Sequence, residues 1–141
     1  MATFERFEDI KAWQTARELT RDFYRLFSEP RLVREFGLKD QLTRASLSIM
    51  NNIAEGFGRH SAKDFARFLS IAKASAIEVQ SMLYVPVDLD AIDQAAFDGY
   101  YECVNKTIRM IGGLASYLRG EGANGPTQPT TRNAEPGTRN S

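Results

Sequence analysis

Residues 41–83 read QLTRASLSIMNNIAEGFGRHSAKDFARFLSIAKASAIEVQSML, and the fold follows from the rhythm of this stretch. Leu42, Ala45, Ile49 and Ile53 continue a stripe begun at Leu38, stepping by three or four residues. That spacing places them on one face of an α-helix over residues 38–57. Gly56 and Gly58 then supply the conformational freedom with which helices commonly stop. Ser61 is a good N-cap for a new helix, and Asp64, three residues on, puts a carboxylate near the positive end of its dipole. Phe65, Phe68, Leu69, Ala72, Ala76, Val79 and Leu83 carry the next apolar stripe, which Pro86 is expected to close. Two amphipathic helices joined by so tight a turn fold back on each other antiparallel.

The flanking sequence extends the pattern in both directions. Over residues 7–28, Ala12, Trp13, Ala16, Leu19, Phe23, Leu26 and Phe27 share one helical face, and Pro30 ends the segment. Beyond Asp90, with Asp93 expected in the first turn, Phe97, Tyr100, Val104, Ile108, Ile111, Ala115 and Leu118 carry a last stripe to Gly120. No segment alternates as a strand would. The chain therefore reads as all-α: an antiparallel up-down-up-down four-helix bundle over residues 1–120, with the longer connections before the second helix and before the fourth. Residues 121–141 have almost nothing to bury and read as a disordered, dispensable tail.

Composition narrows the function classes. A 43% hydrophobic share over 141 residues suits one globular core. Lys+Arg 18 against Asp+Glu 18 leaves no bulk attraction to nucleic acid or anionic lipid, so such binding requires a local patch. No apolar run approaches a membrane span, and the charged N-terminus does not resemble a signal peptide, so the cytoplasm is the expected location and no membrane partner is expected. A single cysteine, Cys103, forms no intrachain disulfide, which fits a reducing compartment.

Nothing in the sequence assembles a catalytic centre. His60 is the one histidine and reads as a polar turn residue, and Cys103 reads as a small packed side chain. There is no CxxC, HExxH or Glu-x-x-His pair for a metal, and GFGR lacks the strand and the GK[ST] of a phosphate loop. The expectation is a protein without enzymatic activity or cofactor.

Two groups of cations are candidates for phosphate contact. Arg17, Arg21 and Arg25 recur every four residues, with Arg31 and Arg34 following; Arg59, Lys63 and Arg67 surround the tight turn. Glu18 and Asp22 precede Arg21 and Arg25 by three residues, so a salt-bridged solvent face is the alternative. The second helix also carries an extra apolar strip, Leu47, Met50 and Ala54, beside the polar residues Arg44, Ser48, Asn51, Asn52 and Glu55. Apolar surface on two sides of one helix points to a subunit interface, or else to a helix sunk deeply in its own bundle. Asparagines and a glutamate flanked by Arg44 and Arg59 would fix subunit register through hydrogen bonds.

The stretch also resembles a known family. Gln41, Leu42, Arg44, Ala45, Ser48, Ile49, then Asn52-Ile53-Ala54-Glu55-Gly56, then Ser61, Asp64, Phe65, Phe68, Leu69, Ile71, Ala72, Ser75 and Glu78 follow its signature. This is the pattern of the four-helix proteins encoded in intervening sequences of bacterial 23S rRNA genes. Phe7, Trp13, Ala16, Leu19 and Tyr24 match its opening, while Met50, Ala74 and residues 85–93 depart from it. The resemblance implies an antiparallel bundle, a ring-like homopentamer and an association with rRNA or other nucleic acid. A more distant resemblance, to accessory proteins of diversity-generating retroelements, implies instead a scaffold that engages a reverse transcriptase.

Overall fold

In the computed structural model, which describes residues 4–120, the two central helices are α2, Phe36–Phe57, and α3, Ala62–Met82. They are preceded by α1, Lys11–Leu26, and followed by a short α4, Tyr84–Asp88, and a long α5, Gln94–Leu118. Every regular element among the described residues is helical, so the all-α reading holds. The assignment of residues 121–141 as a tail falls outside the described residues.

The α2 and α3 helices pair antiparallel. Gly56 meets Phe65 and Phe68 at one end of the α2–α3 pair, Ser48 meets Ser75 in the middle, and Gln41 and Met82 share a groove further on. Thr20 contacts Met50 between α1 and α2, Gln80 contacts Asn105 between α3 and α5, and Phe23 packs on Tyr100 between α1 and α5. These contacts are consistent with the up-down-up-down order.

The core is the one the periodicity predicts, with additions. Ala16, Leu19, Phe23, Leu42, Ile49, Ile53, Leu69, Ala72, Ala76, Val79, Val104 and Ile111 are buried in one cluster. Trp13, Phe68, Tyr100, Ile108 and Leu118 are only half-buried at its edge. Two core residues come from outside the long helices: Ile10, which caps α1, and Leu32, whose amide bonds to Glu29 in a turn that folds its side chain into the bundle.

Element boundaries shift for local reasons. Residues 7–9 form a separate 3-10 turn, and α2 starts at Phe36, two residues before its first core-facing leucine. Ser61 caps α3, its Oγ accepting the Asp64 amide at 3.0 Å. Asp93, expected inside the last helix, is its N-cap and accepts the Ala96 amide at 2.8 Å. Pro86 does not end α3, which has already stopped at Met82. It sits in the first turn of α4, where a missing amide donor costs nothing.

Glycine matters sterically at one position. A Cβ built on Gly56 would lie 2.8 Å from Phe65 Cδ1 and 2.9 Å from Phe68 Cβ, closer than van der Waals contact allows. On Gly113 a Cβ would meet nothing within 4 Å. Gly56→Ala is therefore expected to cost about 1–3 kcal/mol by overpacking. Gly113→Ala is expected to add up to about 1 kcal/mol, because alanine loses less backbone entropy in a helix. Urea denaturation of the two variants checks both signs, and a neutral Gly56→Ala would contradict the close approach.

Candidate functional site

The residues that carry the family-like signature do not all enter the core; several lie along the outer seam between α2 and α3. Ser48 and Ser75 hydroxyls are 2.8 Å apart across the seam, and Asn52 Nδ2 donates to both the Ser48 carbonyl at 2.8 Å and Ser48 Oγ at 3.0 Å. Ser48 and Asn52 are half-buried and Ser75 is buried, so the bonds hold the two helices in register while satisfying their own donors. Next to it an open groove of about 440 Å³ is lined by Gln41, Arg44, Ala45, Ser48, Glu78, Ser81 and Met82.

The expected second apolar strip of α2 divides in two. Met50 packs against the core, and its Sδ accepts a 3.3 Å hydrogen bond from Thr20 Oγ1, so α1 covers it. Met50 is thus a packing residue within its own chain. Leu47 and Ala54 are half-buried outside the core cluster, on the face they share with exposed Arg44, Asn51 and Glu55. Across the seam, α3 presents Ile71, 40% exposed, and the exposed Ala74. The charged members of this face pair along their own helix: Arg44 donates to both carboxylate oxygens of Asp40, and Arg59 donates to Glu55 at 2.9 Å.

At the tight turn the basic group forms a built arrangement that spacing alone does not foretell. The guanidinium groups of Arg59 and Arg67 lie 4.8 Å and 4.5 Å from the centre of the same ring, Phe68. Such cation–aromatic stacking fixes long side chains that would otherwise be mobile. Arg67 also approaches Asp64 at 3.6 Å, whereas exposed Lys63 makes no ion pair among the described residues. Periodicity puts Phe68 in the buried stripe; the close approach at Gly56 holds it at the rim instead, where the arginines reach it.

The α1 ladder is less organised. Arg17, Arg21 and Arg25 are all exposed on one side of the helix. The expected Glu18–Arg21 and Asp22–Arg25 pairs do not form; Arg21 contacts the adjacent Asp22 at 3.4 Å, and Arg17 lies 5.8 Å over the Trp13 ring. Contacts this exposed are worth little individually.

His60 is exposed in the turn, and Cys103 is half-buried on α5. Burial pushes the Cys103 thiol above its ordinary range, and the nearby Glu18 carboxylate pushes it further. Burial likewise raises the Tyr100 phenol, with Asp22 and Glu29 adding to the effect. Among the described residues no three His, Cys, Asp or Glu side chains are grouped to hold a metal ion, and no helix is long and apolar enough to cross a membrane.

Comparison with known proteins agrees with this geometry. The family model described as 23S rRNA-intervening sequence protein matches residues 8–113, spanning α1 to α3, α4 and most of α5. No curated protein matches the chain. The chain belongs to the 23S rRNA-intervening sequence protein family.

The raised thiol pKa has a direct chemical readout. At pH 7 a smaller fraction of Cys103 is thiolate than in a free cysteine peptide, so iodoacetamide should alkylate it more slowly. The rate should climb only as pH passes above the ordinary thiol range. Alkylation at neutral pH as fast as the peptide's would contradict the raised pKa.

Proposed function

We propose that this family member works by binding rather than catalysis, as a homo-oligomer whose subunits meet through the outer face of α2 and α3. The observation that carries this reading is that Leu47, Ala54 and Ile71 lie outside the bundle's own core, on the two helices whose seam also carries an open polar groove. Partly exposed apolar residues beside polar groups bonded within their own chain are surface a second subunit can cover, with Glu78 at the groove left for a partner cation to meet. Ser48, Asn51, Asn52, Glu55 and Arg44 would then set the angle between subunits. A ring of five is the expected size by family analogy.

A second element of the reading is contact with rRNA or another nucleic acid through Arg59, Lys63 and Arg67. It is favoured by the two guanidiniums held on Phe68, whose N–H groups beyond those spent on Glu55 and Asp64 would meet phosphate oxygens. The α1 ladder, Arg17, Arg21 and Arg25, is the weaker candidate because only Arg17 lies over a ring, at 5.8 Å, and no shared aromatic fixes the three. A scaffold that never touches nucleic acid, such as an accessory to a reverse transcriptase, is the alternative.

Light scattering after size exclusion tests the assembly. The intact protein should have several times its 15.9 kDa chain mass, and Leu47→Arg should reduce it to one chain with its helix content unchanged. A monomeric wild type would end the proposal.

Fluorescence anisotropy with structured rRNA fragments across a salt series tests the nucleic-acid element. Binding should weaken with salt, and replacing Arg59, Lys63 and Arg67 with Ala should flatten the log–log slope by about 0.7–0.9 for each phosphate that is no longer neutralised. The same change at Arg17, Arg21 and Arg25 should have the smaller effect. No binding at low salt would leave the scaffold as the better account.

A further inference from the structure

The zero net charge of this chain conceals a segregation. Between Ala74 and Asn105 there are six acids, Glu78, Asp88, Asp90, Asp93, Asp98 and Glu102, and no lysine or arginine. The remaining residues hold all 18 cations against 12 acids. All six carboxylates are exposed, and among the described residues only Glu102 makes an ion pair, with Arg109. Asp93 is engaged in capping α5, and Asp98 accepts a hydrogen bond from Gln94.

Within this acidic stretch the α3–α5 connection exposes apolar surface. Tyr84 is 50% exposed, Val85 41% and Leu89 42%. The antiparallel pairing of α2 and α3 brings the start of α2 to the same end, where Phe36 is 72% exposed. Tyr84 is not loose: its ring lies 4.8 Å from that of Phe97 and 6.3 Å from that of Tyr101, which themselves stack at 5.4 Å. The neighbouring α1–α2 connection contributes Glu29, Arg31, Arg34 and Glu35 and the start of α2 adds Lys39 and Asp40; these charges cancel, and Arg25 at the end of α1 offsets only one of Asp88, Asp90 and Asp93.

We infer that this end, built on Tyr84, Val85 and Leu89 and rimmed by Asp88 and Asp90, docks a basic segment of another protein that carries apolar side chains. Apolar side chains supply the contact, and the carboxylates select lysine and arginine over acidic or nucleic-acid partners. Phosphate backbones are repelled here, which separates this surface from the basic turn at the other end of α3. A second copy offering its basic turn fits poorly. Its basic turn has Arg59 and Arg67 already paired with Glu55 and Asp64, and Phe68 is covered by their guanidiniums.

The test uses the full chain and two labelled synthetic helical peptides with Leu at amphipathic spacing, one with Lys on its polar face and one with Glu. Anisotropy should show salt-sensitive binding of the Lys peptide and none of the Glu peptide. The double change Val85→Ser with Leu89→Ser should weaken it at least about tenfold with helix content unchanged. Asp88→Asn with Asp90→Asn should also weaken it; asparagine tolerates the left-handed backbone of Asp90, φ 58°. On the unaltered protein, the Lys peptide should shift amide resonances of residues 84–93 and leave those of 55–67 in place. Equal binding of both peptides, or full binding after the Val85 and Leu89 changes, would overturn the proposal. So would a peptide-free fall in oligomer mass on those changes, which would assign the surface to a second copy.

Discussion

The close approach of α2 to α3 at Gly56 is the constraint from which most of the molecule's surface follows. With no side chain at this position, the backbone of α2 comes within contact of Phe65 and of the Cβ of Phe68. The turn can then be short, and Ser61 can cap α3 almost at once. The register set at that end carries along the pair: Ser48 falls opposite Ser75, and Gln41 falls level with Met82. A bulkier residue would push the two helices apart at their tightest point. It would also disturb the position of Phe68, and with it the ring on which Arg59 and Arg67 lie.

Periodicity exposes the fold because helix burial depends on spacing alone. The stripes of α1, α2, α3 and α5 are legible for that reason, and so are the caps at Ser61 and, within one residue, at Asp93. What is not legible depends on tertiary direction. Met50, Leu47 and Ala54 look like one strip on a wheel, yet Met50 packs against the core under α1 while Leu47 and Ala54 stay half-buried outside it. Leu32 lies in a polar connection, and only the turn around Glu29 delivers it to the core. Helical spacing makes Glu18–Arg21 and Asp22–Arg25 available as pairs, but exposed side chains gain too little from such pairs to be held in them.

Of the candidate site, the members are legible and the arrangement is not. Arg59, Lys63 and Arg67 are visible as a basic group in the sequence, but sharing of one aromatic ring by two guanidiniums is a property of the folded turn. The one sequence signal is the spacing of Phe68 next to Arg67, which periodicity assigns to the core instead. Ser48 and Asn52 read from the sequence as subunit-interface residues, and only the folded seam shows that they also bond within the chain, Ser48 to Ser75 and Asn52 to Ser48.

The placement of these surfaces bears on how a small, neutral bundle could bind anything tightly. A single turn with three cations, two of them already paired, offers only a few phosphate contacts, and each is weakened by physiological salt. Assembly through the long side of α2 and α3 would leave both ends of every bundle free. Each subunit then repeats the basic turn at one end and the acidic, apolar surface at the other. Several weak contacts on one rigid body act together, so a partner that spans two or more subunits is held far more firmly than any single turn could hold it. On that argument the proposed oligomerisation would convert modest local charge into useful affinity, and a protein with zero net charge avoids the indiscriminate attraction that a uniformly basic one would have.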